Sequence, residues 1–426
     1  MSEPDLVELL ARHASALDIP GAALGVLRDG VETVATFGIE DVRTRMPIND
    51  SSRFSAGSLT KSMVATVVAR LSADGRLGLE DPVASHVPEL GGAHWAKIAT
   101  VRDLLANRSG LPLRLGLDFD FESPDAGDDA LARFAARVAA EAPTPVAWSY
   151  TNAGYALLGR AIETVTGAVW EQAMRAELFE PAGMNESVFA LAGSTVDRVA
   201  GHDSSDAGLI PVEPLTTRAL GPAGTTLVST IGDLLGFARL QLEDPTLAVL
   251  REVGEEVRIH GWLDRWGLGF AGFDWPGARV WGWDGLIEGE RSILRFIPEL
   301  HAAVVLMTNS STGRFLYRAL LPELMRSLFE VEVPTLRLDP DPGAVRDLSR
   351  YAATYAWPDR RVEVGALADA LLITSGGTTR RALPIDEGVF LVDPNDPDNP
   401  TMTFGAFDAE GRPQLLYVML WGLPRG

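Results

Sequence analysis

The sequence predicts an α/β (α+β) protein: an antiparallel sheet flanked by helices, with a helical domain inserted into it and a small antiparallel β domain after it. Three observations carry this. Strand-like segments stand near both ends of the first 330 residues, and the text between them has a helical period. Beyond a proline-rich run the pattern changes to short alternating stretches. The expected boundaries are 1–75 with 241–335 for the sheet domain, 76–240 for the helical domain, and 340–426 for a barrel-like C-terminal domain.

Leu6, Leu9, Leu10 and Leu17 give residues 4–18 a helical period. "GAALGVLRDGVETVATFGIED" then reads as two strands joined at Arg28-Asp29-Gly30, with Asp-Gly at the turn. A helix follows from Ser58 to about Ala73 and stops at Gly75. "DALARFAARVAAEA" and "YALLGRAIETVTGAVWEQAMRAELF" continue the helical text. "RSILRFIP" and "HAAVVLMTN" return to strands, and "FLYRALLPELMRSLF" closes this part with a helix. "VEVPTLRLDPDPGAV" (331–345) reads as a linker. The stretches "RVEVGAL", "ALLITS", "VFLVD", "TMTFGAF" and "QLLYVMLWG" after it predict antiparallel sheet or a small barrel, with "DPNDPDNP" (393–400) as an exposed turn.

Composition narrows the function. A net charge of −21 argues against nucleic acid or an anionic membrane as partner, because neutralising phosphates needs clustered Lys and Arg. No cysteine is present, which removes disulfides, thiolate metal sites and Cys nucleophiles. The six histidines are scattered, and no pair has metal-ligand spacing. The N-terminus lacks a basic region followed by an apolar block, and no apolar run reaches membrane-spanning length. A cytoplasmic protein is the expectation, and the Asn-x-Ser matches at Asn49, Asn107, Asn185 and Asn309 then carry no weight.

Of 37 basic residues only two are lysines, Lys61 and Lys97. Arginine cannot be deprotonated at a useful pH, whereas a desolvated lysine amine can act as a base. Lys61 lies three residues after Ser58, so on a helix the two side chains are neighbours. Ser-x-x-Lys at a helix start therefore reads as a nucleophile beside its base. A third group to relay protons is offered by Tyr150-Thr151-Asn152, the one Tyr-x-Asn in the chain.

Ser58-Leu59-Thr60-Lys61 combined with Tyr150-Thr151-Asn152 resembles the serine β-lactamase and penicillin-binding-protein superfamily. It is most similar to the branch of class C β-lactamases, D-stereospecific peptidases and family VIII carboxylesterases. "GRLGLEDPVASHVPEL", "VRDLLANRSGLP", "FEPAGMNES", "PAGTTLVSTIGDLLGFARL" and "WGLGF" extend the resemblance over about residues 5–330, and the C-terminal β module resembles accessory domains of some members. The resemblance implies a β-lactamase/transpeptidase-like fold. It implies Ser58 as nucleophile, Lys61 as its base and Tyr150 as proton shuttle to the leaving group. Asn152 would contact the acyl amide or position Lys61. Met63, Val64 and the positive end of the helix would keep the Lys61 amine reactive.

The third motif of that family, a strand with Lys-Thr-Gly or His-x-Gly, corresponds here to Trp283-Asp284-Gly285 in "WGWDGLIEGERS". Trp-x-Gly is familiar from the esterase branch. Gly285 would let substrate approach the strand, and the N–H groups of Leu286 and Ser58 would form the oxyanion hole. Trp283 and Asp284 offer no cation to a substrate carboxylate, and Asp284 would repel one. Five tryptophans between 262 and 283, with Trp148, suit an apolar acyl group, about half of them being expected to fill the core instead. The acidic stretch "LDFDFESPDAGDD" (117–129) reads as a solvated loop rather than a trap for a cationic substrate. Gly267-x-Gly269-x-x-Gly272 matches a dinucleotide pattern, but "FDWPG" and not a helix follows it.

The expected function is a serine hydrolase that cleaves an ester or amide of a small molecule through an acyl-enzyme on Ser58, without metal or cofactor. An acyltransferase or peptide cyclase would use the same acyl-enzyme with an alcohol or amine as acceptor. β-Lactamase and D-amino-acid peptidase activities share the chemistry and rank below it. A non-catalytic ligand-binding relative is the alternative from another class, and the complete Ser, Lys and Tyr set argues against it.

Overall fold

The computed structural model describes residues 5–112, 115, 127–144, 146–191, 193–205, 208–214, 216–252, 256–357, 360–396, 398 and 400–426. Seven strands form the main sheet among these residues: β1 (Gly21–Arg28), β2 (Val31–Gly38), β3 (Arg265–Trp266), β4 (Ala271–Trp275), β5 (Ala278–Ile287), β6 (Glu290–Ile297) and β7 (Ala302–Thr308). They pair antiparallel in the order β2-β1-β7-β6-β5-β4-β3. The N-terminal hairpin thus joins the late strands in one sheet, and β1 and β6 are held side by side with β7 between them.

The longer helices are α1 (Leu6–Ala16), α2 (Leu59–Ala73), α3 (Ala130–Val138), α4 (Asn152–Thr166), α5 (Ile231–Glu243) and α6 (Gly313–Phe329). Helices α1 and α6 pack together on one face of the sheet, while α2 and α5 cover the other. Helix α2 is buried on almost every side, with only Arg70, Ser72 and Ala73 reaching solvent. Such a helix belongs to a core, so its polar members need internal partners. Ser62 Oγ donates to the Gly269 carbonyl at 2.7 Å, and Thr66 Oγ1 donates to the Ser62 carbonyl at 2.8 Å. Gly269 lies against α2, and a Cβ there would sit 2.3 Å from the Ala65 methyl. Gly269 therefore serves close approach of the loop between β3 and β4 to the helix.

The helical text from Tyr155 to Phe179 is interrupted. Gly167 ends α4 in a left-handed conformation, and the chain resumes helix at Trp170. Residues 331–345 carry no helix or strand. Beyond them β8 (Ala353–Trp357), β9 (Arg360–Ala366), β10 (Leu371–Ser375), β11 (Thr378–Asp386), β12 (Val389–Leu391), β13 (Thr401–Phe407), β14 (Pro413–Val418) and β15 (Trp421–Pro424) form an antiparallel meander. The first and last strands meet at Tyr355 and Arg425, which nearly closes the sheet around Tyr351, Tyr355, Phe390 and Phe404. Among the described residues no helix is long and apolar enough to cross a membrane.

Candidate active site

Ser58 stands at the N-terminus of α2, after a short strand at Phe54–Ser55. The loop before it is clamped to β6. The Glu290 carboxylate accepts from the Ser55 N–H at 2.7 Å and from its hydroxyl at 3.1 Å, and Ser292 Oγ donates to the Ala56 carbonyl at 2.6 Å. Two glycines allow the loop and β5 to touch. Gly57 has φ +52°, and a Cβ on it would lie 2.7 Å from the Leu286 nitrogen. A Cβ on Gly285 would lie 2.0 Å from the Ala56 oxygen. This contact brings the backbone at Ser58 beside the backbone at Leu286.

Lys61 is fully buried one helical turn on. Its Nζ lies 3.0 Å from Ser58 Oγ and donates to the Ala223 carbonyl at 2.5 Å. The rings of Tyr150 and Tyr155 flank the amine, at 4.9 and 5.9 Å from their centres. Burial pushes its pKa well below the ordinary lysine range.

Tyr150 comes from the extended segment before α4. Its hydroxyl accepts from Trp283 Nε1 at 3.2 Å and is hydrogen-bonded with the Ser58 side chain. Burial raises the phenol well above its usual range, and those two hydrogen bonds only partly offset the shift. Trp266, edge-on to Trp283 at 4.7 Å, completes the packing behind Tyr150. Both Trp266 Nε1 and the Tyr155 hydroxyl donate to the Leu105 carbonyl at 3.0 Å, which fixes the rear of the site.

Ser58, Tyr150, Asn152, Trp283, Asp284, Gly285 and Leu286 all line one cavity of about 280 Å³, with Lys61 directly beneath Ser58. All six of the clustered tryptophans are buried, and of these Trp262 and Trp283 line the cavity. The expectation that Asp284 presents an uncompensated negative charge is overturned. Asp284 faces away from Trp283, and its two oxygens accept from Arg295 at 2.6 Å and Arg314 at 2.8 Å. Burial alone would raise this carboxyl, but the two guanidinium groups outweigh it and hold the pKa below the usual range. The two cations come from β6 and α6, on the same sheet face, and they make this patch net positive.

The "DPNDPDNP" loop is an exposed turn at Pro394 and Asn395, as expected, but its later part packs inward. Asp398 is half-buried and bonds Arg291, a cavity-wall residue, at 2.8 Å. Of the acidic stretch 117–129, residues 117–126 lie outside the described residues, while Asp128 and Asp129 pair with Arg218 and Arg133. Sequence reasoning missed the C-terminal contribution altogether: Met419, Leu420 and Trp421 line the same cavity.

The beta-lactamase family model matches residues 7–323. Penicillin-binding protein 4 of Amycolatopsis lactamdurans is 32% identical over 360 residues, covering 79% of this chain and 93% of that protein. The crystal structure of SurE superposes with a TM-score of 0.81 at 27% identity, covering 99% of this chain and 98% of that one, so the likeness includes the C-terminal module. A D-amino acid amidase from Ochrobactrum anthropi SV3 shares the fold of the remainder, with a TM-score of 0.66 at 22% identity over 76% of this chain and 98% of that one. A serine one turn before a buried lysine, on a fold matched across most of its length, places this chain in the beta-lactamase family of serine hydrolases.

Proposed function

We propose that the protein cleaves an ester or amide of a small molecule through an acyl-enzyme on Ser58. The observation that carries this reading is the Lys61 amine, buried, with a lowered pKa, and 3.0 Å from Ser58 Oγ. A neutral amine there takes the serine proton as the hydroxyl attacks the substrate carbonyl. Tyr150, kept neutral by burial and in hydrogen-bond contact with Ser58, passes a proton to the leaving group. The N–H groups of Ser58 and Leu286 take the oxyanion, and the Gly57–Gly285 contact holds those two backbones together. Asn152 lies on the cavity wall where it can bond the acyl portion, and Trp262 and Trp283 favour an apolar acyl group.

Esters and amides with an apolar acyl group are the proposed substrate class. The D-amino acid amidase acts on amides by its name, and that likeness of fold is in keeping with an amide as one such substrate. The test is mass spectrometry of the protein incubated with a panel of activated esters. Acylation at Ser58 that disappears in Ser58→Ala is the expected result, and stoichiometric labelling of another serine in that variant would refute the assignment. Following the released acyl group as free acid or as a transfer product to added alcohol or amine then tells hydrolysis from acyl transfer.

A further inference from the structure

Part of the cavity wall does not come from the beta-lactamase portion of the chain. It comes from Met419, Leu420 and Trp421, at the turn that joins β14 to β15. The turn is fixed in place rather than leaning on the surface. The Leu420 carbonyl accepts from the Tyr150 N–H at 3.1 Å, and the Gly422 N–H donates to Ser149 Oγ at 3.2 Å. The Gly422 carbonyl accepts from Trp357 Nε1 at 2.7 Å, which ties the turn back into its own module. A Cβ on Gly422 would lie 2.6 Å from the Trp148 carbonyl, so the two backbones are as close as they can be. Leu420 is buried in the main core, while Met419 and Trp421 are partly buried against it, and the Arg360 guanidinium lies 4.7 Å from the Trp421 ring centre.

The apolar surface that Met419 and Trp421 leave open in the nucleophile's cavity is stabilised when an apolar group covers it. Met419 is held at φ +54°, a conformation unfavourable for a side chain with a Cβ. We infer that the C-terminal module supplies part of the substrate site, with Met419 and Trp421 as specificity-determining residues that hold an apolar chain of the substrate. The inference rests on the acyl-enzyme reading above and adds to it which part of the chain selects the substrate. The Leu420 carbonyl, bonded to the Tyr150 backbone, sets how far this wall stands from the reacting atoms.

The experiment measures kcat/KM for acetyl, butyryl and octanoyl p-nitrophenyl esters on wild type, Trp421→Ala and Met419→Gly. Met419→Gly removes the side chain at a backbone conformation glycine adopts freely, so it keeps the test open if Trp421→Ala fails to fold. The octanoyl-to-acetyl ratio is expected to fall about tenfold or more in each variant that folds, in keeping with lost apolar contacts in a substrate pocket. A uniform loss on all three esters, with the ratio unchanged, would overturn the inference and leave these residues a structural role. Absence of any acylation in wild type would instead remove the acyl-enzyme reading, and this inference with it.

Discussion

Lys61 Nζ lies 3.0 Å from Ser58 Oγ, and its other polar contact is the Ala223 carbonyl at 2.5 Å. No carboxylate partners this amine in its hydrogen bonds or ion pairs among the described residues, so burial acts on it without a compensating anion. The neutral form is favoured, which is the form a base requires.

Lys61→Arg is therefore expected to damage activity nearly as much as Lys61→Ala. Loss of a general base costs about 10²–10⁴ in rate. Guanidinium keeps the charge but cannot take a proton. Steady-state kinetics on folded variants checks this, and retention of most activity by the Arg variant would show that position 61 serves only as a positive charge.

The pH dependence follows from the same shift. Activity needs deprotonated Lys61, so kcat/KM should fall as pH drops through the lowered pKa of that amine, a limb lying well below the ordinary lysine range. Stability moves in the same direction. The unfolded chain binds a proton at Lys61 up to its ordinary pKa while the folded chain has already released it, so between the two pKa values unfolding becomes less favourable as pH rises. Comparing urea midpoints of wild type and Lys61→Met across that range isolates the contribution.

Tyr150→Phe removes one hydroxyl and leaves the ring against Trp266 and Trp283. The expected outcome is a large fall in kcat with a melting temperature close to wild type. Trp283→Phe removes the indole N–H donor to that hydroxyl and part of the ring packed on Trp262 and Trp266, so it should lower stability as well as rate. A Tyr150→Phe protein that melts early yet keeps its specific activity when folded would point to a structural tyrosine.

Gly285→Ala tests the contact between β5 and the nucleophile loop. The new methyl would sit 2.0 Å from the Ala56 oxygen and 2.1 Å from Ser292 Oγ, and backbone cannot give way cheaply. Displacement of about 1 Å at a reacting group can cost roughly 10²-fold. A fall of that order in kcat/KM, with an unchanged far-UV circular dichroism spectrum, is the expected result.

Asp284 should matter for stability more than for charge in the pocket. Arg295 is 2% exposed and Arg314 is 4% exposed, and both depend on this one carboxylate. Removing one partner of a buried ion pair costs about 3–5 kcal/mol. Asp284→Asn should lower the unfolding free energy by that order in urea titration. A near-neutral change in stability would mean that the two arginines find other partners.

Ser58 and Lys61 were readable along the chain because their relationship is local. Three residues on a helix put two side chains together whatever the helix packs against. The same holds for the strands at 21–38, for the helix that ends before Gly75, and for the change to alternating text after residue 345, all of which follow from period and turn chemistry. Tyr150 was readable only as one of two motifs taken together. Contacts between distant segments were decided by the tertiary structure. Asp284 meets Arg295 across a strand pair and Arg314 from a helix thirty residues on, which turns an apparent negative charge into a net positive patch. The tryptophan cluster was visible in composition, but only packing separates Trp262 and Trp283, which line the cavity, from Trp148, Trp266, Trp275 and Trp281 behind them. Met419 and Trp421 line the cavity of Ser58 because the C-terminal meander docks its last turn on Tyr150. No local period encodes that approach: it depends on how two segments far apart in the chain pack together.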